Sequence, residues 1–373
     1  MSDLLVTSHT PVLRSGRAMR TYTIARALAG EDGLDLLYVR FEGDEPDAAF
    51  SSIPGIRMHA VVSSRGAERL RAYLDARLEG LPHTLARALS PELAAAAASL
   101  AEEPGRGRVI ADGPVVARTL ARLSRRRPVI YNAHNLESGF RHELGAGSGS
   151  ARANRRLERG LLSRASESWM VSERDLAGAR ELLASARLRL VPNVVDVASI
   201  EPLAPAGTSE PRAIFVANFS YLPNRSGLEF LLGEVFPRVW RELPDARVRL
   251  VGAGLERPPS EDPRVETLGF LDDLRAAYAS AACAVVPLLV GGGTPLKFIE
   301  ALAYGLPVLA TPRAAAGLEV LDGEHCLIAD GADAFADALV RVLRDGAPTI
   351  ARRGRELAER RYSIEALRAA LAD

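Results

Sequence analysis

Lys297 is the single lysine of a chain in which the other 46 of 47 lysine and arginine positions are arginine. It sits in GGGTPLKFIEALAYG, residues 291–305, three positions before Glu300. Lysine is a compact point charge on a flexible stem, whereas arginine presents a planar fork. A lone lysine therefore suits a site that needs one charge in a tight space, and its neighbours point to anion binding. The glycines at 291–293 let the backbone turn sharply and approach a ligand closely. Thr294 suits an N-cap, Pro295 the first helical position and Gly305 the residue that ends the helix. Lys297 then falls in the first turn of a helix over 295–304. A cation there is unfavourable by roughly 0.3–1 kcal/mol unless an anion sits in front of it. Helix start, glycines and ammonium together make a phosphate pocket. Glu300 lies on the same face one turn deeper. Its carboxylate would accept from a pair of ribose hydroxyls, or act as a solvated partner of Lys297.

The elements that must hold such residues follow from the hydrophobic pattern. Short apolar runs alternate with amphipathic helical segments, the pattern of parallel sheets with crossover helices. Strands are expected near 3–7, 34–39, 56–62, 108–112, 128–132, 168–172 and 187–191. Helices are expected over 17–29, around the alanine run at 94–100 and over the arginine-rich 151–164. The stretch IEPLAPAGTSEPR, 200–212, reads as a linker, and a second series of strands follows in RAIFVAN, ARVRLVG, ACAVVPL, LPVLAT and HCLIA. With 373 residues, two domains of ordinary size are expected. They would be two doubly wound α/β domains facing each other across a cleft, over 1–200 and 201–355. The helix 356–373 would pack back on the first. Ligands of open α/β sheets gather at the carboxyl ends of the strands, where the glycine turn before Lys297 falls.

Composition narrows the function. Hydrophobic residues at 47% and charged residues at 25% are those of a soluble globular chain. Residues 1–200 hold 28 arginines against 23 acidic residues and the remainder 19 basic against 24 acidic. This mild asymmetry fits solvated helix faces, or a first half turned towards an anionic acceptor or, peripherally, a membrane surface. It is too small, with aromatics at 5%, for a nucleic-acid partner. Cys283 and Cys326 read as buried thiols, and neither a disulfide framework nor a metal site is expected. MSDLLVTSHTPV does not have the form of a signal peptide and no apolar run reaches the ~18–20 residues of a membrane span, so the expected location is cytoplasmic.

The segment around Lys297 resembles the donor-binding motif of the family-four glycosyltransferases, retaining enzymes of the GT-B fold that use nucleotide-activated sugars. ESWMVSERDLAGAR followed by RLVPNVVD resembles the end of that family's first domain. VETLGFLDDLRAAYASAACAVVPL and GLPVLATPRAAAGLEV resemble its second. The resemblance implies that Lys297 contacts the donor diphosphate and Glu300 the nucleotide ribose. YNAHNLESGF, 131–140, resembles the family's HNxE segment, which implies that His134 contacts the donor sugar with Asn135 and Glu137 in support; the other five histidines receive no role. Gly16 stands for the family's glycine-rich loop near the leaving phosphate. VGAG, 251–254, and LGF, 268–270, form a turn near the base, which brings in Phe270. Two departures stand out. Gly292 occupies the place of a glutamate near the transferred sugar, so sugar contacts pass to the backbone of Gly293, Thr294, Pro295 and Leu296. Phe219 occupies the place of a phosphate-binding arginine, so Asn224 or Arg225 would face the diphosphate instead, Arg225 being a second cation or a surface arginine.

No Asp-x-Asp, GxxxxGK[ST] or GxSxG motif occurs, which speaks against a metal-dependent sugar-transfer site, a P-loop and a serine-hydrolase elbow. The expected function is transfer of a sugar from a nucleoside diphosphate sugar to a hydroxyl acceptor on a small molecule, glycan or lipid-linked carrier, without a cofactor. Another enzyme of the same fold, such as a nucleotide-sugar epimerase or a phosphorylase, and a non-catalytic nucleotide-sugar-binding module are the alternatives.

Overall fold

Two parallel sheets organise the protein. The computed structural model describes all residues except 14, 31, 42, 64–69, 72, 75–89, 137–147, 204–209, 292 and 373. The chain divides into one compact unit of residues 1–193 with 367–373 and a second of 194–366.

The first unit is built on β1 (Ser2–Thr7), β2 (Leu34–Arg40), β3 (Ile56–Val62), β4 (Arg106–Asp112), β5 (Ile130–Asn132), β6 (Glu167–Met170) and β7 (Leu188–Leu190). Their order across the sheet is β3-β2-β1-β4-β5-β6-β7, and the pairings are parallel. Every strand expected from the sequence is present, within two residues at each end. The helices Gly16–Leu28, Pro91–Ala101 and Ser148–Arg164 match the three expected there. Leu4, Val6, Val109, Ala111 and Tyr131 are buried in the core, as continuous apolar strands covered on both faces require. The last turns of the chain belong to this unit. Arg108 Nη1 donates to Leu371 O at 2.8 Å and Arg189 Nη1 to Ala370 O at 3.1 Å.

The second unit holds β8 (Arg212–Val216), β9 (Arg247–Val251), β10 (Val265–Gly269), β11 (Cys283–Val286), β12 (Val308–Ala310) and β13 (Leu327–Ile328), in the order β10-β9-β8-β11-β12-β13. The fold class is thus the expected one, α/β with two Rossmann-like sheets. The sequence pattern missed β10, an edge strand in which Val265 alone is buried. Its apolar run is interrupted by Glu266, which accepts from Arg249 Nη2 at 2.7 Å and Arg212 Nη2 at 3.2 Å. Charge pairing on the neighbouring strands holds this edge.

In each sheet the strand order reverses once, between β1 and β4 and between β8 and β11. Loops leaving the carboxyl ends of strands at such a switch point diverge to opposite faces and open a crevice between them. The loop after β8 is fixed by close backbone packing on the turn after β9. Ala217 N–H donates to Val251 O and Phe219 N–H to Ala253 O, both at 2.8 Å. Gly252 has φ 134°, and a Cβ there would lie 1.9 Å from Ala217 O. Both the left-handed backbone and the contact demand glycine. Gly252→Ala is expected to destabilise the protein by more than about 1 kcal/mol, read as a lowered urea midpoint.

Candidate functional site

At the switch point of the second sheet two loops deliver the residues singled out above. The first leads from β8 into the helix Leu222–Phe230 and carries Asn224 and Arg225. Helix and strand end meet closely, since a Cβ on Gly227 would lie 2.7 Å from Pro287 O, just past β11. The second loop leaves β11, turns at Gly291 and Gly293 with φ of 132° and 71°, and enters the helix Leu296–Tyr304. Thr311, at the end of β12, steadies it by donating to Leu288 O.

The helix start corrects the sequence reading. Pro295, not Thr294, is the N-cap; its ψ of 111° is extended, so the helix begins one residue later than expected. Pro295 has no side-chain group with which to cap the helix. Such a helix start presents backbone N–H groups to a ligand. Thr294 is buried and Leu296 half-buried beside it. The other end is as expected: Gly305 is left-handed with φ 76° and donates back to Ala301 O and Leu302 O. Behind the helix, Arg355 donates to Ala303 O and to Ile200 O, the latter at 2.8 Å.

Lys297 lies in the first turn. Its Nζ donates to Asn224 Oδ1 and stands 5.1 Å from the centre of the Phe215 ring. Asn224 is buried, and its own Nδ2 donates to Asn218 O at 2.7 Å, which turns Oδ1 towards the lysine. Burial lowers the lysine pKa to about 7. Glu300 is one turn on and its pKa is raised to about 7, burial outweighing the opposing hydrogen bond from Tyr278 Oη at 3.2 Å. Tyr278 in turn stacks on Tyr304, ring centres 4.7 Å apart. Lys297 and Glu300 thus have separate partners and do not pair with each other, which removes the reading of Glu300 as a mere solvated partner of the lysine.

The remaining expected residues divide. Phe219 is in the core, edge-on at 5.4 Å to Phe215, the ring that faces Lys297. Arg225 is exposed beside the buried Asn224. Phe270 is 52% exposed just beyond β10, where Gly252 N–H donates to Gly269 O at 2.6 Å and joins the two turns read as a base site. Gly292 and Glu137 lie outside the described residues.

Gly16 and His134 belong to the first unit. Gly16 is the first residue of its helix, capped by Ser15, whose Oγ accepts from Ala18 N–H. His134 follows β5, with Nε2 2.8 Å from Asp112 Oδ1. Asp112, His9 and Arg20 around it were not found from the sequence. The available signal was an aspartate closing the apolar run RVIAD at the end of a central strand. Among the described residues no three His, Cys, Asp or Glu side chains are placed to hold a metal ion, and no helix is long and apolar enough to cross a membrane.

Two parallel sheets of Rossmann-like type are the architecture found in GT-B folds. Residues 210–345 match the family model described as glycosyl transferases group 1, the family that the resemblance named. A phosphatidyl-myo-inositol mannosyltransferase of Mycobacterium leprae is 31% identical over 168 residues. That match spans 42% of this chain and 44% of the mannosyltransferase. In fold the chain is similar to sucrose-phosphate synthase from Thermosynechococcus elongatus (TM-score 0.77, 19% identity, 100% of this chain and 97% of that one). It is also similar to Anabaena HepE in complex with UDP and glucose (TM-score 0.70, 16% identity, 100% and 98%).

The two shifted groups predict opposite pH dependences. Between about 7 and the ordinary lysine value near 10.4, the unfolded chain holds a proton at Lys297 that the folded protein has lost, so stability rises with pH across that window. Relative to Lys297→Met, the wild type should lose stability as pH falls from 10 to 7. For Glu300, between roughly 4.3 and about 7, the folded protein holds the extra proton, and stability falls as pH rises. Relative to Glu300→Gln, the wild type should lose stability over that lower range. Urea midpoints from pH 4.5 to 10 check both signs.

Proposed function

We propose that this protein is a retaining glycosyltransferase that moves a sugar from a nucleoside diphosphate sugar to a hydroxyl acceptor. The observation that carries the reading is the Lys297–Asn224 hydrogen bond at a helix start, inside the segment that matches group 1 glycosyl transferases. A desolvated ammonium held by a neutral amide lacks a counter-charge, and a diphosphate supplies one.

In the reaction the bond between the anomeric carbon and the diphosphate oxygen breaks, and its electron pair leaves on the phosphate. The acceptor oxygen bonds to the same face of the sugar, and its proton passes to the departing phosphate. The protein's task is to stabilise the charge growing on that phosphate. Lys297 and the helix N–H groups do this as preorganised donors, with Arg225 as a further cation reaching from its exposed position. One such donor is typically worth about 3–4 kcal/mol in the transition state. No metal or other cofactor is required in this reading. Glu300 accepts from the ribose hydroxyls, and the backbone of 293–296 meets the sugar. The family resemblance gives Gly16 a role at the leaving phosphate, His134 one at the sugar and Phe270 one at the base. The two buried free thiols fit the reducing cytoplasm.

HepE was solved with UDP and glucose, which makes UDP-glucose the first donor to try; a mannose donor follows from the mannosyltransferase match. Lys297→Ala is expected to lower turnover at least about a hundredfold with the circular dichroism spectrum unchanged. Wild-type turnover in that variant ends the leaving-group role. Because a bound anion favours the charged amine, UDP binding at pH 8 should be accompanied by proton uptake. Calorimetry in buffers of different ionisation enthalpy reads this, and Lys297→Met should abolish it.

A further inference from the structure

The switch point of the first sheet holds a chain of buried hydrogen bonds whose direction is fixed from one end. Arg20 can only donate. It is fully buried, with Nη1 donating to Asn193 Oδ1 at 3.1 Å and Pro192 O at 3.3 Å. Its Nε and Nη2 donate to Asn132 Oδ1 at 3.1 and 2.6 Å. The amide of Asn132 must therefore turn its oxygen to the arginine and its Nδ2 away from it. That Nδ2 donates to Asp112 Oδ1 at 2.7 Å, and Thr21 Oγ1 donates to Asp112 Oδ2 at 2.6 Å.

Asp112 is consequently an acceptor on both oxygens. Burial alone would raise its pKa, but the hydrogen bonds it accepts, among them those of His134 and Thr21, hold it well below the carboxylate range. Facing an ionised carboxylate at 2.8 Å, His134 Nε2 must be the donor. In the neutral ring this leaves Nδ1 as a bare lone pair. That atom is buried and has no hydrogen-bond partner, in a side chain only 10% exposed. An orphaned buried acceptor is costly unless something occupies it. The ring sits in the space that a glycine leaves: a Cβ on Gly113 would lie 2.8 Å from its Cε1.

We propose that Asp112, aligned by Asn132 and Arg20, is a positioning residue that fixes His134 as the Nε2–H tautomer, so that Nδ1 accepts a hydrogen bond from a carbohydrate hydroxyl. This rests on the sugar-transfer reading for the ligand but not for the tautomer. Nδ1 in this state attracts an O–H and repels a phosphate oxygen, so the phosphates belong elsewhere. His9 completes the same cluster. Its Nδ1 is 3.0 Å from Thr7 Oγ1, its Nε2 is also buried without a partner, and burial lowers its pKa to about 4, partly offset by Asp112. Its ring is therefore neutral.

The test uses the full-length protein with ¹⁵N-labelled histidine, in long-range ¹H–¹⁵N spectra at pH 8. The His134 signals are assigned by their loss in His134→Gln. The expected pattern is a protonated Nε2 and a bare Nδ1. A protonated Nδ1 in the wild type overturns the proposal, whether or not the protein transfers sugar. Asp112→Asn should populate the other tautomer, and an unchanged pattern there shows that Asp112 does not set it. In transfer assays with UDP-glucose and its monodeoxy-glucose analogues, deletion of the contacted hydroxyl should slow the wild type about tenfold and His134→Phe far less. The same comparison with deoxy acceptors identifies an acceptor hydroxyl instead. A wild type indifferent to every deletion on either substrate overturns the hydroxyl contact while leaving sugar transfer intact.

Discussion

A cation stripped of water at the positive end of a helix is the constraint on which the second unit depends. Two forces oppose charging Lys297, desolvation and the helix dipole, and the structure answers with one neutral amide, Asn224 Oδ1, and an aromatic ring face. Neither neutralises the charge. The supports around the helix are correspondingly firm: Gly305 closes its far end, Arg355 holds the carbonyl of Ala303, Thr311 holds that of Leu288 ahead of the turn, and Ala217 and Phe219 are tied to the end of β9 and the turn after it. Rigid surroundings keep an unfavourable arrangement in place without a ligand.

Much of this was legible in the sequence because it is written in local chemistry. Apolar runs of four to seven residues located twelve of the thirteen strands, and a glycine, a proline and a lone lysine located the helix that matters. The failures have physical causes. β10 has no apolar run to read, because cross-strand ion pairs hold it. The helix boundary moved because Pro295 took an extended ψ, which residue type alone does not dictate. The partner of Lys297 lies 73 positions away, and only the parallel order β8-β11 brings the two loops together.

The first unit shows the limit more sharply. Arg20, Asn132, Asp112 and His134 span more than a hundred positions of sequence, and each reads individually as an ordinary helix or strand-end residue. Their meaning lies in which atom donates to which, a property of the assembled sheet edge. The same fold therefore builds two unlike polar sites at two equivalent places, one around a cation with no counter-charge, the other around an anion that orders its neighbours.

The chain's last turns carry a consequence for biosynthesis. Leu371 and Ala370 supply carbonyls to Arg108 and Arg189, and residues 367–373 count with the first unit although 173 residues of the second intervene. A ribosome releases the second unit's sequence whole before these residues emerge. The half that is translated first therefore gains these partners for Arg108 and Arg189 only after the whole of the second unit's sequence has been made.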